Sequence, residues 1–280
     1  MGRYVVTGGA GFIGGRIAER LVARGDEVVV LDDLSTSSER TAPEGATLVV
    51  ADLSDERTYA EGGKGPFEAA LHLGAQASGE ISHLNPARDF DVNARGTLLL
   101  LRWAEASRVS RFLHASSMAV YGPVEGPVLE TAPTQPGSYY GVSKVAGEAA
   151  VRFFAARGLQ TTTFRMFNVY GPGQNLANLR QGMVSIYLAY LLRGEPVVVK
   201  GALDRYRDFV HVDDVATAWL AALDAKGAAD RLYNLGTGRK TTVAELLDQL
   251  GQAFGYPADA CPMTAADGTP GDMHGSVADI

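Results

Sequence analysis

The apolar positions of the chain predict short buried strands that alternate with amphipathic helices. Residues 3–7 form an apolar run of strand length, residues 17–25 carry a helical period that ends at a glycine, and residues 27–33 form a valine-rich run. A third strand is predicted to end at Asp52 and Leu53, a fourth near His72, and a fifth at Ser116 and Ser117. This alternation favours an α/β fold with a parallel sheet, whose ligands lie at the carboxyl ends of the strands.

Residues 86–109 have a helical period with one apolar stripe. Asn93 lies among apolar neighbours there, so we expect its side chain to have a specific backbone partner. Residues 123–137 are rich in Pro and Gly and are predicted to form a loop over the strand ends. A further helix is predicted to begin at Ser138.

A glycine-rich turn, TGGAGFIGG, follows the first strand directly. Gly8 suits a tight turn, Gly11 a close approach of the backbone to a pyrophosphate, and Gly14 close packing of helix on strand. Asp32 ends the second strand, where a carboxylate accepts hydrogen bonds from ribose hydroxyls and repels a 2′-phosphate. The turn therefore predicts a Rossmann-type doubly wound sheet that binds NAD rather than NADP; the alternative is a structural turn that binds nothing.

The ends of the third and fourth strands are expected at the rim of the same cofactor site. Asp52 and Leu53 end one strand, and Leu73 and Ala75 follow the other. An equally good interpretation of Asp52 is a helix N-cap for the segment that follows, and one carboxylate can do both.

Tyr140 and Lys144 are four residues apart, so both side chains lie on one face of the helix that begins at Ser138. A neighbouring ammonium is expected to lower the pKa of a phenol from about 10, which would make Tyr140 a usable base. Taken alone, this spacing is more typical of an ordinary surface pair. The hydroxyls of Ser116 and Ser117, at a strand end, are expected in the same crevice.

After residue 173 the pattern of alternating strands and helices loosens. One strand is predicted in residues 159–173, a helix in residues 181–193 and another from Val212, with few strands left for the main sheet. We therefore predict an NAD-binding domain in residues 1–165. Residues 166–280 are predicted to be mainly a smaller substrate lobe that is interleaved with the first domain.

Composition narrows the classes of partner. A formal net charge of −7 argues against nucleic acid, and the single cysteine, Cys261, excludes an intrachain disulfide. No apolar run approaches the roughly 20 residues that span a bilayer, and the N-terminus has no signal-peptide pattern. We expect a protein of the cytoplasm with no membrane partner.

Several motifs in order resemble those of the extended short-chain dehydrogenase/reductases, specifically the NAD-dependent nucleotide-sugar epimerases and dehydratases. The matching stretches are TGGAGFIG, Asp32, Asp52-Leu53, HLGAQ, SSMAVYG, YYGVSK, RMFNVYGPGQ, RDFVHVDDVA and YNLGTG. Together they cover nearly the whole chain, which makes the resemblance far more specific than any one motif.

The resemblance implies roles for individual residues. Ser117 would hydrogen-bond the sugar hydroxyl that is oxidised, Tyr140 would be the base, and Lys144 would bind the nicotinamide ribose and lower the tyrosine pKa. It also implies a UDP-sugar substrate and a homodimer formed through residues 86–109 and 139–157. The NAD-binding residues predicted in all are Gly8, Gly11, Phe12, Ile13, Gly14, Asp32, Asp33, Asp52, Leu53, Leu73, Ala75, Asn93, Ser116, Tyr140 and Lys144.

Within this family, the 4,6-dehydratases carry an Asp-Glu pair where this chain has Met118 and Ala119. Elimination needs an acid and a base, and neither of these side chains titrates. The chain therefore looks most like a UDP-glucose 4-epimerase, in which NAD takes the C4 hydride, the 4-keto sugar turns over, and the hydride returns to the other face.

The predicted substrate residues are Ser117, Asn168, Arg180, Arg207 and Ser276. The resemblance places Asn168 on the substrate side and Arg207 at the diphosphate. Ser276 stands where the epimerases set the size of the sugar pocket, although a serine chosen for a turn at its rim fits equally well. Thr269 stands where relatives often have an arginine, and relatives usually continue past residue 280, so a tail is expected to be missing.

Arg180 provides the alternative of UDP-glucuronate 4-epimerase, because an arginine can pair with a sugar carboxylate; an exposed loop arginine is the simpler interpretation. His211 with Asp213 and Asp214 resembles a metal site less than it does a helix cap. Two further alternatives are a nucleotide-sugar dehydratase or reductase, and an NAD-binding regulator without activity.

Overall fold

The structure is a computed structural model that describes residues 1–36, 42–61, 66–266 and 276–278. Its strands are β1 Arg3–Thr7, β2 Glu27–Asp32, β3 Thr47–Val50, β4 Ala69–His72, β5 Arg111–Ser117, β6 Gly126–Val128, β7 Gln160–Met166, β8 Asn168–Tyr170, β9 Val197–Lys200, β10 Tyr206–Arg207, β11 Phe209–His211, β12 Arg231–Leu235, β13 Thr241–Thr242, β14 Met263–Ala266 and β15 Ser276–Ala278. Its helices are α1 Phe12–Ala23, α2 Arg57–Glu61, α3 Gly79–Leu84, α4 Pro86–Phe90, α5 Gly96–Ala106, α6 Tyr139–Ala155, α7 Met183–Leu192, α8 Val212–Asp224 and α9 Val243–Ala253. A π-helical turn spans Asp91–Arg95 between α4 and α5.

The main sheet has seven strands in the order β12-β7-β5-β4-β1-β2-β3. The strand order reverses beside β1, because β2 and β3 extend to one side and β4, β5 and β7 to the other. In an open α/β sheet this switch point is where ligands bind, at the carboxyl ends of the strands. The predicted Rossmann-type parallel sheet is confirmed, and the observed order fixes the crevice between the ends of β1 and β4.

Buried apolar side chains explain why these segments form a sheet between helices. Residues 4–7 of β1 and 28–32 of β2 are buried, as expected for strands covered on both faces. Leu100 and Leu101 of α5 pack in one core cluster with Phe112 of β5 and Phe154 of α6. The hydroxyl of Ser138 accepts from the backbone amide of Gly141 at 3.1 Å and so starts α6 where the sequence predicts.

The chain divides into two compact units. One comprises Met1–Gly122, Thr134–Met166 and Val212–Tyr233, and the other comprises Pro123–Pro133, Phe167–His211 and Asn234–Ile280. In the second unit β8 pairs with β11, β9 with β14, β6 with β15, and β10 with β13. The sequence prediction placed 166–280 mainly in a second, interleaved lobe; the structure counts α8 and the start of β12 with the first unit.

Two sequence-based boundaries were wrong. The single helix predicted over residues 86–109 is α4, the π-helical turn and α5, ending at Ala106. The single strand predicted over residues 159–173 is two strands. β7 pairs with β5 in the main sheet, whereas the amide of Asn168 donates to the carbonyl of Asp208, which turns β8 towards β11.

Candidate active site

The glycine-rich turn joins the end of β1 to the start of α1. Gly8 has a φ of +68°, and a Cβ there would lie 2.7 Å from the backbone nitrogen of Gly74. A Cβ on Gly14 would collide with the carbonyl oxygen of Gly8. Helix α1 begins at Phe12 and Ile13 with no side-chain cap, so its first backbone N–H groups suit an anion such as a pyrophosphate.

Two carboxylates lie at the end of β2, where Asp32 is the last residue of the strand and Asp33 follows it. Asp32 is buried and accepts from the backbone amides of Ala10 at 3.0 Å and Leu34 at 2.9 Å, one on each oxygen. Burial raises its pKa, although the two backbone hydrogen bonds oppose the shift. Each oxygen keeps acceptor capacity for a ribose hydroxyl. Asp33 uses Oδ1 to accept from the amide and the hydroxyl of Ser35.

The rim beyond β3 carries Asp52 and Leu53. Asp52 accepts from the amide of Ser54 at 2.8 Å, whereas the carboxylate that accepts from the amide of Arg57, in α2, belongs to Asp55. The helix-cap interpretation of Asp52 is therefore wrong. Burial would raise the pKa of Asp52, but the Ser54 and Arg88 hydrogen bonds outweigh it and lower the pKa. Leu53 is buried in the core cluster.

A buried hydrogen-bonded histidine lies at the switch point. The amides of Leu73 and Gly74 donate to the hydroxyl oxygen of Thr7 at 3.1 and 3.0 Å. That oxygen lies 2.8 Å from Nδ1 of His72, and Nε2 of His72 lies 2.8 Å from the hydroxyl of Thr97. Ala75 follows half-buried, beside this turn.

The His72 ring stacks on a second buried histidine. The centroids of the His72 and His114 rings are 5.7 Å apart with an interplanar angle of 28°. Within the described residues, neither ring nitrogen of His114 has a hydrogen-bond partner. Burial lowers the pKa of both, to about 3 for His72, and the charge of Lys144 adds to this effect. Both rings are therefore neutral.

The π-helical turn presents Asn93 to a buried polar cluster. Oδ1 of Asn93 accepts from the amide of Gln76, and Nδ2 donates to the carbonyl of Gln76, both at 2.9 Å. The expected backbone partner of Asn93 is thus confirmed. The same Nδ2 lies within hydrogen-bond distance of Asp89 and Ser143, and the Ser143 hydroxyl donates to Asp89.

Three residues of the predicted catalytic set meet at the end of β5. The hydroxyl of Ser117 lies close enough to the Tyr140 phenol to lower its pKa. Nζ of Lys144 lies 5.8 Å from the centre of the Tyr140 ring and donates to the carbonyl of Ala115 at 3.0 Å. The structure therefore places the serine, the tyrosine and the lysine in one cluster.

The expected lowering of the tyrosine pKa is wrong for this structure. Burial raises the pKa of Tyr140 to about 12, with a further rise from the charge of Asp89, while the hydroxyl of Ser117 acts to lower it. Burial also lowers the pKa of Lys144 to about 8, against the charges of Asp89 and Glu148. Desolvation of both groups is thus the dominant effect, and it favours their neutral forms.

Ser116 belongs to a different network from Ser117. Its hydroxyl donates to Oε1 of Glu148 at 2.6 Å. Glu148 also forms a bidentate ion pair with Arg165, at 2.8 and 2.7 Å, and both side chains are buried. The Arg165 guanidinium lies 4.7 Å from the centre of the Tyr121 ring. This network fixes the end of β5 against α6 and β7.

The predicted substrate residues Asn168, Arg180, Arg207 and Ser276 all lie in the second unit. Nδ2 of Asn168 donates to the carbonyl of Asp208 at 3.2 Å. Arg207 donates to the carbonyl of Tyr206 at 2.7 Å, and its charge and that of Arg205 act on the hydroxyl of Tyr187.

Arg180 is exposed, and its amide donates to Asn178. Ser276 is buried in β15 and not in a turn, so the rim-turn interpretation is wrong. Thr269 lies outside the described residues.

Asp208 is a buried anchor of the second unit that the sequence did not indicate. Its carboxylate accepts from the amides of Thr237, Gly238 and Ala278 at 2.8–3.0 Å. It thereby joins the loop after β12 to strand β15.

Asp213, which entered the metal hypothesis, instead pairs with Arg16 at 2.6 Å and Arg20 at 3.2 Å. In the described part of the chain, no cluster of three or more His, Cys, Asp or Glu side chains is arranged to hold a metal ion. Nor does any helix within those residues have the length and apolar character needed to cross a membrane.

Sequence reasoning missed Arg88, Gln76, Asp89 and Ser143, which surround the predicted site residues. One signal was available: Asp89 and Asn93 are four residues apart on the predicted helix, and Ser143 lies between Tyr140 and Lys144. Buried polar side chains are normally partnered, so such residues indicate one another.

The chain matches known proteins over most of its length. UDP-glucose 4-epimerase of Streptomyces lividans is 33% identical over 275 residues, which cover 91% of this chain and 82% of that protein. UDP-glucose 4-epimerase of Thermotoga maritima, solved with UDP-glucose, superposes with a TM-score of 0.90 at 36% identity and covers 99% of this chain and 89% of that one. The Thermus thermophilus enzyme, solved with NAD, gives a TM-score of 0.85 at 36% identity, covering 99% and 90%. Residues 4–236 match the model of the NAD dependent epimerase/dehydratase family, and the chain belongs to that family.

Proposed function

We propose that this protein is an NAD-dependent 4-epimerase of UDP-sugars, of the UDP-glucose/UDP-galactose type. The observation that carries the proposal is the cluster of Ser117, Tyr140 and Lys144 at the carboxyl end of β5. The similar proteins of Streptomyces lividans and Thermotoga maritima, both UDP-glucose 4-epimerases, support the same reaction.

The residues of the first unit fit NAD. The turn has no room for a Cβ at Gly8 or at Gly14, and the uncapped start of α1 offers backbone N–H groups to the pyrophosphate. Asp32 has acceptor capacity for the adenosine ribose hydroxyls, and its charge disfavours a 2′-phosphate. When bound, NAD supplies the acceptor for the C4 hydride and later its donor.

In the proposed cycle, Tyr140 first loses its phenolic proton to solvent. The phenolate then removes the proton of the sugar 4-hydroxyl as the C4–H bond breaks and its electron pair leaves as hydride. Ser117 holds both the tyrosine hydroxyl and the sugar oxygen. The Lys144 ammonium offsets the negative charge of the phenolate that begins the step, in a buried setting where that charge is costly. The 4-keto sugar turns over, and Tyr140 returns the proton when the hydride comes back to the opposite face.

Met118 and Ala119 favour epimerisation over elimination. They form the 3-10 turn after Ser117, and neither side chain carries an acid or a base. A 4-keto sugar at this site therefore has no titratable partner at these two positions to remove water from C5 and C6.

The second unit is proposed to hold the nucleotide sugar. Arg207 is assigned to the diphosphate, Asn168 to the substrate side and the small, buried Ser276 to the size of the sugar pocket. Arg180 is exposed, and an arginine can pair with a sugar carboxylate, which keeps UDP-glucuronate as the second candidate substrate.

The deciding experiment is chromatography of nucleotide sugars after incubation with the purified protein and NAD. UDP-glucose, UDP-galactose, their N-acetyl forms and UDP-glucuronate are supplied separately. We expect one pair to interconvert without net formation of NADH. Stoichiometric NADH would instead indicate a dehydrogenase, a 4-keto-6-deoxy product a dehydratase, and binding of NAD with every sugar unchanged a regulator.

We also propose that the protein forms a homodimer and that it lies in the cytoplasm. Large apolar side chains remain exposed on α5 and α6, among them Leu98 at 42% and Phe153 at 60%. Apolar faces of this kind suit a contact between two copies. Analytical ultracentrifugation should give a dimer that Leu98→Glu with Phe153→Glu converts to a monomer. A monomeric mass for the unaltered protein would contradict the proposal, and cell fractionation tests the location.

A further inference from the structure

Arg88 connects the rims of two strands that border the adenosine end of the proposed NAD site. Its NH1 donates to Oδ2 of Asp52 at 2.8 Å and to the hydroxyl of Ser54 at 2.9 Å. Its NH2 lies 3.3 Å from Oδ2 of Asp33. One guanidinium therefore spans the residues that follow β2 and β3.

The carboxylates of Asp33 and Asp52 are each oriented by a neighbouring serine for the contact with Arg88. Asp33 engages Oδ1 with Ser35, and Asp52 engages Oδ1 with Ser54, so each presents its Oδ2 to Arg88. The backbone of Arg88 is fixed as well, because its amide donates to the side chain of Asn85, the N-cap of α4. Arg88 therefore makes three contacts, which join the residues after β2 to those after β3.

We propose that Arg88 is a positioning residue that closes the adenosine end of the site and keeps NAD bound between turnovers. The inference rests on the proposed NAD-dependent epimerisation. Asp32, which is assigned to the adenosine ribose, immediately precedes Asp33, and Asp52 is assigned to the adenine rim. A nucleotide leaves this end only after the bridge opens.

Retention of NAD between turnovers suits the proposed reaction. An epimerase returns its NAD to the oxidised form within each cycle, so release serves no purpose, and release after the first hydride transfer strands a 4-keto sugar. Two half-exposed ion pairs are weak individually. Together they are enough to slow the dissociation of NAD by about 3- to 30-fold.

The test compares the dissociation of NAD from unaltered holoprotein, Arg88→Gln and Arg57→Gln. Free NAD is removed by gel filtration, and the NAD that remains bound is assayed over time. Arg57 is the matched control, because its exposed side chain pairs at 2.6 Å with Asp55, which is only two residues away in the sequence. We expect faster dissociation from Arg88→Gln only, and epimerase turnover of that variant that declines in NAD-free buffer and recovers when NAD is added.

The dependence of the NAD dissociation rate on salt distinguishes loss of the ion pairs from loss of packing. Raising the ionic strength from about 0.05 M to about 0.5 M should accelerate dissociation from the unaltered protein more than from Arg88→Gln, because salt screens the exposed ion pairs. Arg88→Lys, which cannot contact both carboxylates with a planar fork, should dissociate at an intermediate rate and serves if Arg88→Gln fails to fold.

The outcomes separate the two proposals. Unaltered protein that binds no NAD overturns the proposed function together with this inference. Unaltered protein that retains NAD, with Arg88→Gln or Arg88→Lys dissociating at the same rate, overturns the inference alone. Turnover of Arg88→Gln that added NAD does not restore also overturns it.

Discussion

The ammonium of Lys144 lies 5.8 Å from the centre of the Tyr140 ring, on the same face of α6. The lysine donates to a backbone carbonyl, and its charge does not outweigh the desolvation of the phenol, whose pKa is raised to about 12. The pair is thus a buried acid beside a buried cation. The chemistry of the pair depends on how far burial shifts the pKa of Tyr140 and the pKa of Lys144 from their ordinary values.

Removal of the phenol hydroxyl should abolish most of the turnover. Tyr140→Phe deletes the proposed proton acceptor, and general acid–base groups typically contribute about 10²–10⁴-fold to the rate. We expect a loss of kcat in this range with NAD still bound. Tyr139→Phe is the matched control, since Tyr139 is the preceding, exposed residue of α6. Equal losses in both variants would contradict the assignment.

Activity should fall on the alkaline side near pH 8. The pKa of Lys144 is lowered from 10.5 to about 8, so the ammonium that offsets the phenolate is present below that pH and is lost as the pH rises through it. Lys144→Arg keeps its charge throughout this range. We therefore expect the variant to be slower but to lack this alkaline decline, measured as kcat against pH. A decline near the same pH in both proteins would exclude Lys144 as its source.

Acid should destabilise the protein through its two buried histidines. The pKa of His72 falls from 6.5 to about 3 on folding, and that of His114 is also lowered. Between these values the unfolded chain binds protons that the folded chain does not, so the free energy of unfolding decreases as the pH falls from 6.5 towards 3. The slope is about 1.4 kcal/mol per pH unit for each histidine.

This acid sensitivity can be traced to one ring. His114→Leu removes a buried imidazole whose nitrogens have no partner within the described residues, and it should reduce the dependence of unfolding on pH. Chemical denaturation at several pH values measures the effect. His83→Gln, at an exposed position, is the control. An unchanged slope in His114→Leu would refute the explanation.

The turn after β1 should not tolerate a methyl group. Gly14→Ala places a Cβ against the carbonyl oxygen of Gly8, so the turn must open. We expect weaker NAD binding by isothermal calorimetry and a lower melting temperature. A Cβ on Gly227 meets nothing within 4 Å, which makes Gly227→Ala the control. Full NAD affinity in Gly14→Ala would show that the turn does not hold the pyrophosphate.

Periodicity and local chemistry predicted the sheet, the turn after β1 and the position of Ser117, because these depend on short-range patterns. The start of α6 was predictable from Ser138 for the same reason. The π-helical turn was not, since it is stabilised by the contacts of Asn93 with Gln76, a residue 17 positions away. The direction of the Tyr140 pKa shift also depends on burial, which spacing along a helix does not report.

The hydroxyl of Thr97 donates to the carbonyl of Asn93, and this determines the location of every proton around His72. Since that hydroxyl has used its hydrogen, it must accept from Nε2–H of the imidazole. Nδ1 then has a lone pair, to which Thr7 donates. The hydrogen bonds from Thr7 to His72, from His72 to Thr97 and from Thr97 to the Asn93 carbonyl therefore all point in one direction. The ring cannot change its tautomer without breaking its hydrogen bonds to both threonines.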